Sequence, residues 1–242
     1  MVSSSLPGMG RPPRPSPCPD GSLTFHALNR GNNRHDIFHA DGDRLAYLES
    51  LAKTKARYPF DLYVYCLMTN HVLLVLRPGP SQSISRIMQS LTVAHTWRHH
   101  RRNASSGHVW QGRFKSPAVQ DGSYLLAVLA YVEANLARAG MVDDPAEYRW
   151  SSHRGRVGMA ADPLLDPFPE CAELAEDDDS RRAAWRARVA AGPEPATLEA
   201  IRAAGLGGRP IGDPAWCTTI AARLGLPAWP PRPRGRPKLP KA

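Results

Sequence analysis

Residues 66–76 read CLMTNHVLLVL. The run after Asn70 is apolar, partly β-branched and short, which suits a buried strand better than a helix. "MTN" (68–70) is a turn, so "FDLYVYCL" (60–67) before it and "HVLLVLRP" (71–78) after it are two successive strands. His71 stands at the mouth of the second. Side chains alternate across a strand, so the position that shares its face two residues on is Leu73.

Working outward, "LTFHALNR" (23–30) reads as a strand. "DGDRLAYLESLAKTKARY" (41–58) reads as a helix with Leu45, Leu48, Leu51 and Ala52 on one face, and 83–102 as a second helix burying Ile84, Ile87, Met88 and Leu91. "FKSPAVQD" (114–121) is a short fourth strand, and "SYLLAVLAYVEANLARAG" (123–140) a last helix. The order β-α-β-β-α-β predicts an α+β fold, a ferredoxin-like split βαβ antiparallel sheet with helices on one face and an extra C-terminal helix.

The flanks differ in composition. Residues 1–22, rich in Pro, Gly and Ser, are expected to be a disordered arm, and 23–158 the main domain. Residues 159–180, including "DPLLDPFPECAELAEDDD", read as an acidic linker. Residues 181–228 form a helical extension with candidates at 181–204 and 213–224, either a helix-turn-helix or a plain hairpin. The second opens with Asp213 as N-cap and Pro214 in the first turn, and closes at Gly225. Residues 229–242 are a basic tail in which "PRPRGRPK" (231–238), with Arg234 and Arg236, resembles an AT-hook; a Pro/Arg-rich disordered tail is the alternative.

With 31 Lys and Arg against 22 Asp and Glu, the formal charge is +9, which favours polyanionic partners. The longest apolar run, 124–132, is too short to cross a bilayer and the first residues lack a signal peptide's apolar stretch, so a cytoplasmic protein with no membrane partner is expected. Its four cysteines, at 18, 66, 171 and 217, lack the spacing of a zinc site or a disulfide framework.

Two groups of residues carry candidate chemistry. Between 81 and 117 lie Arg86, Arg98, Arg101, Arg102, Arg113 and Lys115 without a single acid, beside Trp97, Trp110 and Phe114. Cations that seek phosphate, interleaved with stacking rings, suit nucleic acid. On the last helix, Tyr124, Tyr131, Asn135 and Arg138 flank the apolar face of Leu125, Val128, Leu129, Val132 and Leu136. A phenol can act as a nucleophile, and an amide oxygen can ligate a hard divalent cation. A half-buried structural tyrosine and a hydrogen-bonded structural histidine at 71 are the plainer readings.

"NRGNNRHDIF" (29–38), "CLMTNHVLLVL", "GHVWQGRFKS" (107–116), "YVEANLARAG" (131–140) and "YRWSSHRGRVG" (148–158) occur in the order seen in the REP-associated tyrosine transposases. The chain resembles that family of single-tyrosine HUH transposases over residues 23–158, and more weakly at "RPIGDPAW" (209–216). The resemblance implies a domain that recognises single-stranded or hairpin DNA and cuts it by transesterification with Mg²⁺ or Mn²⁺. It makes Tyr131 the nucleophile, linked to the 5′ end, and His71 and Asn135 metal ligands. Two positions depart from the family's pattern. Leu73 stands where the second histidine belongs, and Leu136 replaces the usual proline. His26, on the first strand, is the candidate substitute ligand. Arg98, Arg101, Arg102, Trp110, Arg113, Lys115 and Arg138 are the expected DNA contacts, with Arg234 and Arg236 from the tail. Three readings follow: a transposase or nickase weakened at Leu73, a catalytically inactive DNA-binding regulator derived from one, and an RNA-binding module using the same cations and rings.

Overall fold

The structure, a computed structural model, describes residues 20–227; the AT-hook-like segment and nearly all of the N-terminal arm lie outside them. The chain runs β1 (Thr24–Arg30), α1 (Asp41–Arg57), β2 (Phe60–Met68), β3 (His71–Pro78), α2 (Ile84–Asn103), β4 (Ala118–Val119), α3 (Ser123–Glu133), α4 (Asn135–Arg138), α5 (His153–Arg156), α6 (Asp178–Ala191), α7 (Pro195–Gly207) and α8 (Pro214–Arg223). The strands form one antiparallel sheet in the order β2-β3-β1-β4. This is the expected split βαβ arrangement. No helix among the described residues is long and apolar enough to cross a membrane.

Helices cover both faces of the sheet, where the sequence reading placed them on one. Leu67, Val72, Leu74 and Leu76 pack with α1 and α2, while Cys66, Met68, Leu73 and Val75 pack with α3. Two-sided burial is why β2 and β3 read as nearly unbroken apolar runs rather than as apolar-polar alternation. A bulge in β2 between Leu62 and Val64 turns Tyr63 and Val64 toward the α3 side together.

Helix α1 is rotated from its expected face. Leu45 is 54% exposed and Ala52 is exposed, whereas Arg44, Tyr47, Leu51 and Thr54 are buried. The larger ring takes the core position: Tyr47 meets Phe38 and His95, and the Arg44 guanidinium lies over Phe38 and Trp150. The helix expected over 123–140 is interrupted at Ala134, and the fourth strand shrinks to two residues plus a bridge from Lys115 to Leu28.

The sheet leaves no bare edge along its middle. On the β2 side Leu67 N–H donates to Trp150 O at 2.9 Å and Ser152 N–H to Tyr65 O at 3.0 Å. Further along, Leu62 N–H donates to the Asp166 carboxylate at 2.6 Å, and Lys55 Nζ reaches the same oxygen at 2.5 Å. On the β4 side Ile211 adds a parallel bridge to Val119. Such cover removes unpaired backbone groups that would otherwise template aggregation.

Segment 159–180, expected to be an acidic linker, is therefore docked. Besides Asp166, the Glu170 carboxylate accepts from Gly122 N–H just before α3, where a helix N-terminus favours negative charge. The helix expected over 181–204 is two, α6 and α7, because Gly192 at φ 67° is followed by prolines at 193 and 195. Neither is an appendage: Trp185, Val189, Ile201 and Ala204 join the core beneath α3, and Ile220 of α8 and Leu224 just after it join the other.

One buried carboxylate ties these parts together. Glu133, fully buried at the end of α3, accepts from Ser152 Oγ (3.1 Å), Arg156 Nε (3.3 Å), His153 Nδ1 (2.6 Å) and Trp185 Nε1 (2.7 Å). Burial pushes its pKa up, but the bonds from His153, Arg156 and Trp185 outweigh that and hold it below the usual carboxylate value. Removing it strands buried cationic and N–H groups, so Glu133→Ala should cost about 3–5 kcal/mol in denaturant unfolding. Because the folded pKa is depressed, this stabilisation is present above the unfolded value of about 4.3 and is lost as pH falls through the folded one. Glu133→Gln should accordingly flatten the acid limb of the stability profile.

Candidate active site

The face of the sheet under α3 gathers most of the expected catalytic residues. β3 directs His71 and Leu73 to this side, and β1 directs His26 and Leu28. The register pairs Arg30 with His71, Leu28 with Leu73 and His26 with Val75. Above them, Tyr131 and Asn135 stand one turn apart where α3 gives way to α4.

His71 is an oriented, neutral imidazole. Its Nδ1 donates to Asn70 Oδ1 at 2.7 Å, which leaves the Nε2 lone pair facing Asn135 Nδ2 at 3.4 Å. Burial, reinforced by Arg30, lowers its pKa to about 4. Asn135 also donates to Met68 Sδ at 2.8 Å, and its carbonyl oxygen accepts from Arg138 Nη2 at 3.2 Å. The amide therefore presents N–H to the histidine, and its oxygen is already engaged.

Tyr131 sits between two partners. The Arg138 guanidinium lies 4.1 Å from its ring centroid, and His26 meets it edge-on at 6.1 Å. Arg138 Nη2 also donates to Tyr131 O at 2.9 Å, satisfying a carbonyl at the helix interruption. No hydrogen bond to the Tyr131 hydroxyl occurs among the described residues.

These donors do not fit the metal centre that the sequence resemblance implies. The second imidazole position holds Leu73, 3% exposed and packed among the apolar side chains under α3. Nor does His26 replace it. Its strand partner is Val75, four residues along β3 from His71, which at about 3.3 Å per residue is about 13 Å away along the sheet. Two ring nitrogens about 2 Å from one ion cannot span that. No group of three His, Cys, Asp or Glu side chains among the described residues converges on a common point.

The expected DNA contacts are dispersed, and neighbours partly neutralise them. Arg98 donates to Ala46 O and to Ser50 Oγ (2.9 Å) and pairs with Glu49 (3.3 Å), while Arg102 pairs with Asp43 (3.0 Å). The acids missing from 81–117 are supplied by α1 across the helix pair. Arg101 instead stacks on Trp97, itself 60% exposed, at 5.2 Å. Trp110 is anchored by its indole N–H to Thr96 Oγ1 at 2.9 Å. Arg113 and Lys115 are exposed beside it.

Sequence reasoning missed Glu133 and Asn29. The first could have been found: Leu125, Leu129 and Glu133 follow at intervals of four, so the carboxylate falls on the apolar stripe. Asn29, buried on the α2 side of β1, carries no periodic signal because β1 is covered on both faces and shows no alternation of burial.

His26 makes a direct test of this buried face. It is 2% exposed, neither ring nitrogen has a hydrogen-bond partner, and burial lowers its pKa to about 4. A folded pKa below the unfolded value of about 6.5 means that stability falls as pH drops from about 6.5 to 4. His26→Phe should remove about 2–3 kcal/mol of that loss, read from denaturant unfolding at pH 7 and pH 4.5.

Residues 21–135 match the family described as "Transposase IS200 like". Among solved structures, a REP-associated tyrosine transposase bound to a REP hairpin is 15% identical over 68% of this chain and 92% of that one, with a TM-score of 0.49. A protein described as a transposase from Deinococcus radiodurans is 16% identical over 49% of this chain and 88% of its own, with a TM-score of 0.35. Comparison with curated proteins gives no match. Residues 21–135, just under half of the chain, are thus similar to IS200-like transposases.

Proposed function

We propose that this protein binds single-stranded or hairpin DNA as a transposase of the REP-associated kind, and that its tyrosine-mediated strand cleavage is impaired. The observation that carries the reading is the buried Leu73. It lies on the face shared by His71, Asn135 and Tyr131, at the position where a second imidazole would stand.

In the reaction, the Tyr131 hydroxyl oxygen attacks phosphorus. A new P–O bond forms to the phenol oxygen, the bond to the 3′ oxygen breaks, and that oxygen takes a proton as the 5′ end remains linked to tyrosine. Arg138 fixes the phenol ring and brings a guanidinium to the same spot, where it can neutralise phosphate charge. Positioning and charge account for most of catalysis at phosphorus, so a missing ligand under the phosphate is costly. Losing even a supporting partner of a metal ligand costs about 10- to 100-fold.

The test uses a hairpin oligonucleotide with single-stranded flanks, Mn²⁺ and denaturing electrophoresis. The parent should form covalent adduct at least about tenfold more slowly than Leu73→His. Tyr131→Phe should abolish the adduct in both backgrounds. Equal rates in parent and Leu73→His would overturn the reading. So would a folded, hairpin-binding Leu73→His protein that forms no adduct, since Leu73 would then not be the lesion.

Binding rests on the exposed cations, with Arg101 beside Trp97 the foremost. Arg101→Glu should weaken hairpin binding at low salt and reduce the slope of log affinity against log salt by about one or more, measured by fluorescence anisotropy. An unchanged slope would place the DNA on another surface.

A further inference from the structure

On the face of the sheet opposite Tyr131, two imidazoles meet at the surface. His39, on the connector just before α1, and His99, on α2, bring their Nε2 atoms to 3.4 Å of each other. Their ring centroids lie farther apart, at 5.4 Å, so the rings face each other nitrogen-first. With Arg34, His35 and Asp36 they line a depression open to solvent. The tyrosine chemistry uses none of these groups.

Both rings are carried by fixed backbone. Ile37 N–H and Phe38 N–H donate to Thr69 O at 2.8 and 3.0 Å, and the two side chains are buried. His39 N–H donates to the Asp43 carboxylate at 2.8 Å, which seats the start of α1. One turn before His99, His95 Nε2 donates to Ile37 O at 3.0 Å and so holds α2 against the same connector.

A distance of 3.4 Å is long for a hydrogen bond, since an N–H donor ordinarily sits about 2.7–3.2 Å from its acceptor. It is instead the spacing of two nitrogens on one tetrahedral ion. Two bonds of about 2.05 Å whose ends lie 3.4 Å apart enclose an angle of about 110°. His99 Nδ1 is buried without a partner, so the contact with His39 is the ring's one hydrogen-bonding contact among the described residues. Burial, and after it the neighbouring imidazoles of His39 and His100, holds the His99 pKa below the usual histidine value, which favours the neutral form that a metal requires.

We propose that His39 and His99 chelate a divalent transition ion, Zn²⁺ foremost, which clips the connector before α1 to α2. Paired imidazoles select zinc, copper or nickel, whereas Mg²⁺ and Mn²⁺ prefer oxygen ligands. The nearby groups leave these two rings as the protein's ligands. Asp43 already accepts from His39 N–H, Ala40 N–H (2.9 Å) and Arg102 Nη1 (3.0 Å). His100 bonds Ser105 Oγ (3.1 Å) and Gly107 O (3.2 Å). Water fills the remaining positions, in keeping with the lack of a third converging His, Cys, Asp or Glu side chain among the described residues. The proposal is independent of the DNA-binding reading.

The experiment titrates zinc chloride into the full chain by isothermal titration calorimetry and follows thermal unfolding in parallel. The parent should show a single saturable site and an unfolding midpoint that rises with zinc concentration, and magnesium chloride should produce neither. His39→Ala and His99→Ala should each weaken zinc binding by at least about tenfold and remove the rise. His39 is exposed, so its variant guards against a folding defect at half-buried His99. His100→Ala, which removes a neighbouring imidazole already bonded within the chain, should leave the affinity in place. A parent that takes up no zinc would overturn the proposal. So would binding that survives both single variants, or a loss in His100→Ala equal to that in His99→Ala, since affinity would then follow histidine content and not this pair.

Discussion

Burial of β3 on both faces is the constraint from which the rest of this structure follows. A central strand with α1 and α2 on one side and α3 on the other has no face left for water, so each of its side chains must be apolar or internally satisfied. His71 meets that demand at the strand's open end with one bond to Asn70 and a close approach to Asn135, and it stays neutral. Two residues deeper the same demand is met by hydrocarbon. Leu73 thus stabilises the sheet by packing under α3, on the face it shares with His71.

Glu133 extends this logic to the C-terminal third. A carboxylate at the end of α3 is tolerable only because His153, Arg156, Ser152 and Trp185 surround it, and these come from α5, α6 and the residue before α5. Tyr131 and Asn135 bracket it on the chain. The segments after residue 150 therefore hold the helix that carries Tyr131, and the docked 159–180 stretch reaches the other end of that helix through Glu170. Their role in the fold is structural support for the site.

Electrostatics are redistributed in the same way. The sequence places one sign of charge along α2, but α1 brings Glu49 and Asp43 against Arg98 and Arg102. Surface pairs of this kind contribute little stability, yet they hold cations in place and lower the local field. Arg101 on Trp97 stays on the exposed face of α2, while Arg138 is drawn onto Tyr131 on the far side of the sheet. Cations thus stand on both faces, one beside Tyr131 and others over the helical layer.

What the sequence determined by itself is local and periodic: the strands around His71, their antiparallel order, the buried stripes of α2 and α3, and the Tyr131 and Asn135 pair one turn apart. Each follows from side chains three, four or two residues apart, which meet or share a face whatever lies around them. The absence of a second histidine at Leu73 is legible for the same reason. Tertiary structure alone decided that both faces of the sheet are covered, that α1 turns Tyr47 inward and Leu45 outward, and that the acidic segment docks. It also decided that His26 lies about 13 Å along the sheet from His71, because strand register is a relation between segments some 45 residues apart. The partners of Glu133 and the meeting of His39 with His99 belong to the same class. They are assembled from side chains remote in sequence, and no spacing rule along one segment reports which remote groups will be brought to it.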